Sequence, residues 1–134
     1  MPIGGMYGNE RRRAGQPVPG SVIEEMIIEL VSIVTPPDKR LELGSGLNSY
    51  LEMTREEPGC TSAILYQDWS EANVLYVESR WESVSDLVQH IRLDRYKRLL
   101  LLMELGAEPP VIEFLTVSDV KGLDFIKAIR TTPA

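Results

Sequence analysis

The chain holds one histidine and one cysteine, His90 and Cys60, and His90 follows Trp81 by nine residues. Imidazole titrates near neutral pH, so a histidine facing a cleft can serve as acid, base or hydrogen-bond donor. If a helix begins at Ser83, His90 falls about 60° from Leu87, at the edge of the apolar stripe. A cleft-lining base and a satisfied boundary or surface residue both fit that position. Trp81 ends a strand on its apolar side, where an indole usually packs and its N–H can also orient a ligand. A Cys60–His90 nucleophilic pair would require only spatial proximity. A lone cysteine opening a strand also reads as a small buried hydrophobe. No Cys-x-x-Cys or His-Glu-x-x-His spacing occurs, so no metal site is expected. The pairs Glu24-Glu25 and Glu56-Glu57 lack a calcium-loop pattern and read as solvated.

The elements that must position these residues follow from periodicity and breakers. Met26–Val34 is a β-branched run of strand length, stopped by Pro36-Pro37. Asp38–Glu57 reads as a helix with Leu43, Leu47, Leu51 and Thr54 on one stripe, ended by Pro58-Gly59. Gly44-Ser45-Gly46 is its weak point, since an interior glycine costs roughly 1 kcal/mol against alanine. The string Leu41–Asn48 looks like a nucleotide-binding glycine loop, but no buried strand precedes it and Asn48 stands where a third glycine would help. Cys60–Gln67 and Val74–Trp81 are strands joined by a polar loop. Period-2 geometry puts Leu75, Val77, Ser79 and Trp81 on the core side of the second.

Ser83 is a plausible N-cap, with Asp86 in the first turn, for a helix expected to bury Val84, Leu87, Val88 and Ile91. A further helix, Asp94–Leu105, is apolar most of the way round and calls for cover on more than one side, which a second subunit would supply. Val111–Val117 is the last strand, and Gly122–Arg130 a short amphipathic helix. The order β-α-β-β-α-β predicts an α+β, ferredoxin-like antiparallel sheet with helices on one face. Its second face is expected to be covered by dimerisation.

Composition sets the outer bounds. The 134 residues are 43% hydrophobic and 25% charged, ordinary for one soluble domain. A net charge of −6 argues against a general nucleic-acid or anionic-membrane binder. The longest wholly apolar run, Leu99–Met103, is too short to span a bilayer. One cysteine excludes an intrachain disulfide, and residues 1–20 lack the apolar core of a signal peptide, so a cytoplasmic location is expected. Residues 1–23, with Arg11-Arg12-Arg13, read as a flexible tail. The domain is expected over residues 24–118, followed by a helical extension over 119–134.

Several short motifs arrive in a shared order: Glu57-Pro58-Gly59-Cys60, Leu65-Tyr66-Gln67-Asp68, Trp81-Glu82-Ser83 with Leu87 and His90, and Tyr96-Lys97-Arg98-Leu99-Leu100. Between Met26 and about Val117 the chain resembles the antibiotic biosynthesis monooxygenase (ABM) domain family. The resemblance implies a dimeric α+β barrel, each subunit holding a pocket between sheet and helices. It also implies cofactor-independent oxidation of quinols, anthrones or related polycyclic phenols by O2, with no cofactor required. Carried over by position, His90 and Trp81 would line the pocket as the catalytic residues, with Tyr66 and Tyr96 binding the substrate; Tyr50, chosen from its helix alone, and Ser79, from its place on the strand, are also expected to bind it. Many relatives carry a glutamate two residues before the tryptophan, where this chain has Ser79. The iron-binding histidine of haem-degrading relatives would align with Leu100, which argues against haem degradation. A non-catalytic dimeric small-molecule-binding module on the same fold is the alternative.

Overall fold

Along Met26–Val34 every second side chain is buried, and the inward set is Ile27, Glu29, Val31 and Ile33. That alternation is the signature of a strand with one face against a core. A computed structural model describes residues 25–133, and the expected N-terminal tail lies outside the described residues. The elements are β1 (Met26–Val34), α1 (Arg40–Thr54), β2 (Cys60–Gln67), β3 (Val74–Trp81), α2 (Val84–Arg92), α3 (Tyr96–Glu104), β4 (Val111–Val117) and α4 (Leu123–Thr131). A 3-10 turn at Pro37–Lys39 precedes α1.

The strands form one antiparallel sheet in the order β2-β3-β1-β4, the ferredoxin-like α+β arrangement. The main core lies between this sheet and α1 and α3, centred on Val31, Ile33, Leu47, Leu51, Val77 and Leu99. A smaller cluster under α2 joins Ile27, Trp81 and Leu87. Burying such side chains contributes about 1.5–3 kcal/mol each.

All strand limits match the sequence expectation, whereas α1 and α3 are trimmed and α4 is shifted by one residue to Leu123–Thr131. α1 begins at Arg40 because Pro36-Pro37 sets a tight turn first, and it stops at Thr54, short of Glu57. The Gly44-Ser45-Gly46 stretch stays helical. A Cβ on Gly46 would come within 3.0 Å of Leu102 Cδ2, so the glycine lets α1 approach α3 closely. α3 starts at Tyr96, two residues later than expected.

The buried stripe of α2 is corrected. Leu87 and His90 face inward, while Val84 and Ile91 are exposed. Ser83 does cap this helix: its Oγ accepts from Asp86 N at 3.1 Å.

The helices cover β1, β2 and β3 but not the edge strand β4. Ile112 and Phe114 sit on the helix-facing side, in register with Val31 and Glu29, yet Phe114 is 49% exposed. The apolar face of α4 is exposed as well, as are Leu101 and Leu105 of α3. Among the described residues, no helix is long and apolar enough to cross a membrane.

Candidate functional site

Glu29 is a carboxylate in the middle of an apolar strand, and it points inward because its position shares the parity of Ile27 and Val31. It is 1% exposed. Such a group must collect hydrogen bonds to remain inside. Tyr96, at the start of α3, donates its hydroxyl to Glu29 Oε2 at 2.5 Å. Ser79, directly opposite on β3, donates to Glu29 Oε1 at 3.1 Å. Ser79 Oγ in turn accepts the indole N–H of Trp81 at 2.9 Å. The core-facing parity of β3 therefore places a relay of indole, hydroxyl and carboxylate on one side of the site.

The second carboxylate is Glu57. It follows α1 at a turn, Glu57-Pro58-Gly59-Cys60, in which Cys60 N donates to Glu57 O at 3.2 Å. Proline followed by a glycine at φ 83° is the sequence of a type II turn. The turn aims the Glu57 side chain inward, where Oε1 meets His90 Nδ1 at 2.6 Å. Its other oxygen accepts from Arg95 Nη2 at 2.8 Å. This corrects the reading of Glu56-Glu57 as a solvated pair: Glu56 is exposed and Glu57 is buried.

His90 stands between the two carboxylates at 2% exposure. A surface location is thereby excluded. Its ring stacks on Trp81 at 4.4 Å with an interplanar angle of 29°, and meets the Tyr96 ring edge-on at 5.2 Å. Nε2 lies 2.9 Å from the Tyr50 hydroxyl and 3.9 Å from Glu29 Oε1. Burial, and then the Glu29 charge, push the phenols of both Tyr50 and Tyr96 well above the ordinary tyrosine range. Both are therefore neutral hydrogen-bond donors at physiological pH. A proton delivered to this imidazole would sit between two carboxylates.

Five sequence-predicted residues thus converge: His90, Trp81, Ser79, Tyr96 and Tyr50. Tyr66 does not join them. It pairs with Tyr76 on the opposite face of the sheet and is 44% exposed, because its position in β2 has outward parity. Cys60 donates its S–H to Ser62 O at 3.5 Å, and burial pushes its thiol up to about 11. That is the reverse of an activated nucleophile. Sequence reasoning missed Glu29, Glu57 and Arg95. An acidic residue at an inward position of an apolar strand signals the first. The turn that ends α1 signals the second. Arg95, which precedes α3, carries no local signal.

Known proteins share this fold. The sequence model of the antibiotic biosynthesis monooxygenase family matches residues 26–100. An uncharacterized protein of Synechocystis sp. is 25% identical over 101 residues, covering 75% of this chain and 69% of its own length. The crystal structure of a conserved protein from Methanosarcina mazei Go1 is 27% identical, with a TM-score of 0.64 over 69% of this chain and 92% of that one. A Caulobacter crescentus CB15 protein proposed to be an antibiotic biosynthesis monooxygenase is 25% identical, with a TM-score of 0.64 over 72% and 93% of the two chains. With more than half of its length matched, from β1 into α3, the chain belongs to the antibiotic biosynthesis monooxygenase family.

Proposed function

We propose that this protein is a cofactor-independent monooxygenase that oxidises a quinol-like or polycyclic phenolic substrate with O2. The observation that carries the reading is a buried histidine stacked on Trp81, between two carboxylates and hydrogen-bonded to a neutral tyrosine. A phenolate is electron-rich enough to reduce O2, so the protein's task is to bind the phenol, take its proton and exclude water. For an anthrone-type substrate the reaction balances without an external reductant. A ring CH2 becomes C=O with one oxygen atom, the other leaves as water, and all four electrons come from the substrate. The substrate proton passes to His90 Nε2 by way of the Tyr50 hydroxyl, which gives up its own proton as it accepts one. The aromatic body lies against the uncovered strip of Ile112 and Phe114, beside Glu29. Trp81, Ser79 and Tyr96 hold the acidic relay that faces it.

The test is oxygen uptake by the purified protein against hydroquinones, naphthoquinols and anthrones, with a His90→Ala variant alongside. Uptake above autoxidation, falling about 10²–10⁴-fold in the variant, is the expected result for loss of a general base. Unchanged turnover in the variant would remove His90 from the reaction.

A second reading, a small-molecule-binding module without turnover, draws on the completeness of the network. The buried oxygen and nitrogen atoms of His90, Glu29, Ser79 and both tyrosines all have partners within the protein. Retention of an aromatic ligand that is never consumed would favour it.

We further propose a homodimer in the cytoplasm. The exposed leucines of α3, the open outer face of the sheet and the single cysteine support this reading. Light scattering at micromolar concentration should give twice the chain mass, and a stable monomer would exclude the dimer.

A further inference from the structure

The hydrogen-bond inventory of the site fixes where the imidazole proton must be. Each nitrogen of His90 has one polar partner at hydrogen-bond distance: Glu57 Oε1 on Nδ1 and the Tyr50 hydroxyl on Nε2. Glu57 is paired through its other oxygen with the Arg95 guanidinium, which can only donate. A carboxylate held in this way only accepts, so Nδ1 has to carry the hydrogen. The Tyr50 hydroxyl is buried 2.9 Å from Nε2, with the Thr54 hydroxyl as a second hydrogen-bonding neighbour. In a neutral ring with its hydrogen on Nδ1, Nε2 is a lone-pair acceptor, placed to receive the Tyr50 O–H.

We infer that Glu57, anchored from behind by Arg95, is a positioning residue that locks His90 as the Nδ1–H tautomer and turns its Nε2 lone pair toward Tyr50. The lock is a three-part chain, guanidinium to carboxylate to imidazole, with spacings of 2.8 and 2.6 Å. It runs from the residue before α3, through the exit turn of α1, to the last turn of α2. Glu57 need not touch a substrate. Its effect is exerted on which nitrogen of His90 is free, as an orienting carboxylate acts in other histidine-based sites.

This chain of reasoning makes an unusual demand on the isosteric variant. In E57Q, Arg95 still needs an acceptor, so the amide oxygen turns to the guanidinium. The amide NH2 then faces Nδ1 and donates to it, which drives the ring proton to Nε2. The variant should therefore keep the fold and reverse the tautomer.

The protein contains a single histidine, so long-range 1H–15N correlation of 15N-histidine-labelled, tag-free protein near neutral pH reads His90 alone. The expected spectrum has a protonated, pyrrole-type Nδ1 and a bare, pyridine-type Nε2, exchanged with one another in E57Q. Tyr50→Phe should retain the wild-type tautomer, because the carboxylate alone dictates it. A wild-type ring protonated at Nε2 only, or at both nitrogens, would overturn the inference. So would a folded E57Q protein that keeps Nδ1–H, or a change of tautomer in Tyr50→Phe. If E57Q does not fold, the wild-type and Tyr50→Phe spectra still decide the matter.

The tautomer stands apart from any reaction, whereas its effect on rate rests on the monooxygenase reading. On that reading, oxygen uptake falls about 10²–10⁴-fold in E57Q, and a reversed tautomer with undiminished uptake would exclude the positioning role. A protein that shows the expected spectra but no uptake contradicts the monooxygenase reading alone.

Discussion

Ser79 and Glu29 face one another across the β1–β3 ladder, and the serine hydroxyl closes on the carboxylate at 3.1 Å. The acid at this level of the sheet is supplied by β1, and the small serine gives it room. Directly opposed residues of an antiparallel pair lie close enough for their side chains to interact in this way. The serine acts as a connector between two strands. It bridges the Trp81 indole to a carboxylate one strand away.

The charge on Glu29 should be a burden on the fold and an asset to the site. Its one ion-pair partner among the described residues is His90 at 3.9 Å, and a buried ion without a permanent counter-charge costs several kcal/mol. Glu29→Gln keeps an acceptor for one hydroxyl and offers an NH2 to the other, so stability to urea should equal or exceed that of the wild type. Glu29→Ala leaves Tyr96 and Ser79 unpartnered in the interior and should cost about 1–3 kcal/mol for each stranded group. A loss in Glu29→Gln as large as in Glu29→Ala would show that the fold depends on the charge itself.

Tyr50 and Tyr96 should set the alkaline limit of the domain. Burial foremost, then the Glu29 charge, raise both phenols above their ordinary value of 10.0. A group whose folded-state pKa is raised binds its proton more tightly in the folded protein. Its contribution to stability is complete below the unfolded value and is lost as pH climbs above it. Absorbance at the tyrosinate band, followed together with circular dichroism, should show these two phenols ionising only as the helices melt. Their reversible ionisation near pH 10 with the fold intact would contradict the buried geometry.

The sheet was legible in the sequence because its signals are local. The β-branched run of β1 and the period-2 pattern of β3, with breakers at Pro36-Pro37 and Pro58-Gly59, mark strand limits without knowledge of any partner. Trp81, Ser79 and His90 could be assigned to the interior or its edge on parity and helical phase alone. Glu57 and Arg95 could not, because their importance comes from a meeting of three separate elements. The expectation that Val84 and Ile91 of α2 would be buried failed for a related reason. Hydrophobicity gives the phase of an ordinary amphipathic helix, but here the polar residue His90 takes an inward place and rotates the buried face toward itself. A buried polar network is the feature least visible to hydrophobic patterning, since its members look like surface residues until their partners are known.

The glycines of α1 and of its exit turn should respond to alanine in opposite directions. A Cβ at Gly44 meets only Leu75 Cδ1, at an ordinary contact distance of 3.7 Å, within a continuous helix. Gly44→Ala should therefore stabilise the protein by about 0.5–1 kcal/mol through the unfolded chain. Gly59 has φ 83°, and a Cβ there would lie 2.2 Å from the Asp86 carboxyl, on the side chain that also accepts from the Ser83 hydroxyl at the α2 cap. A left-handed conformation alone costs an L-residue roughly 1–2 kcal/mol. Relief of the clash must also move Asp86 out of the cap, which adds about 0.5–2 kcal/mol if the cap is lost. Because the same turn carries Glu57, Gly59→Ala should also disturb the imidazole spectrum of His90, whereas Gly44→Ala should leave it unchanged. Urea midpoints and the histidine spectrum of the two variants test both halves. Equal midpoints, or an undisturbed His90 in Gly59→Ala, would show that the turn does not hold Glu57 in place.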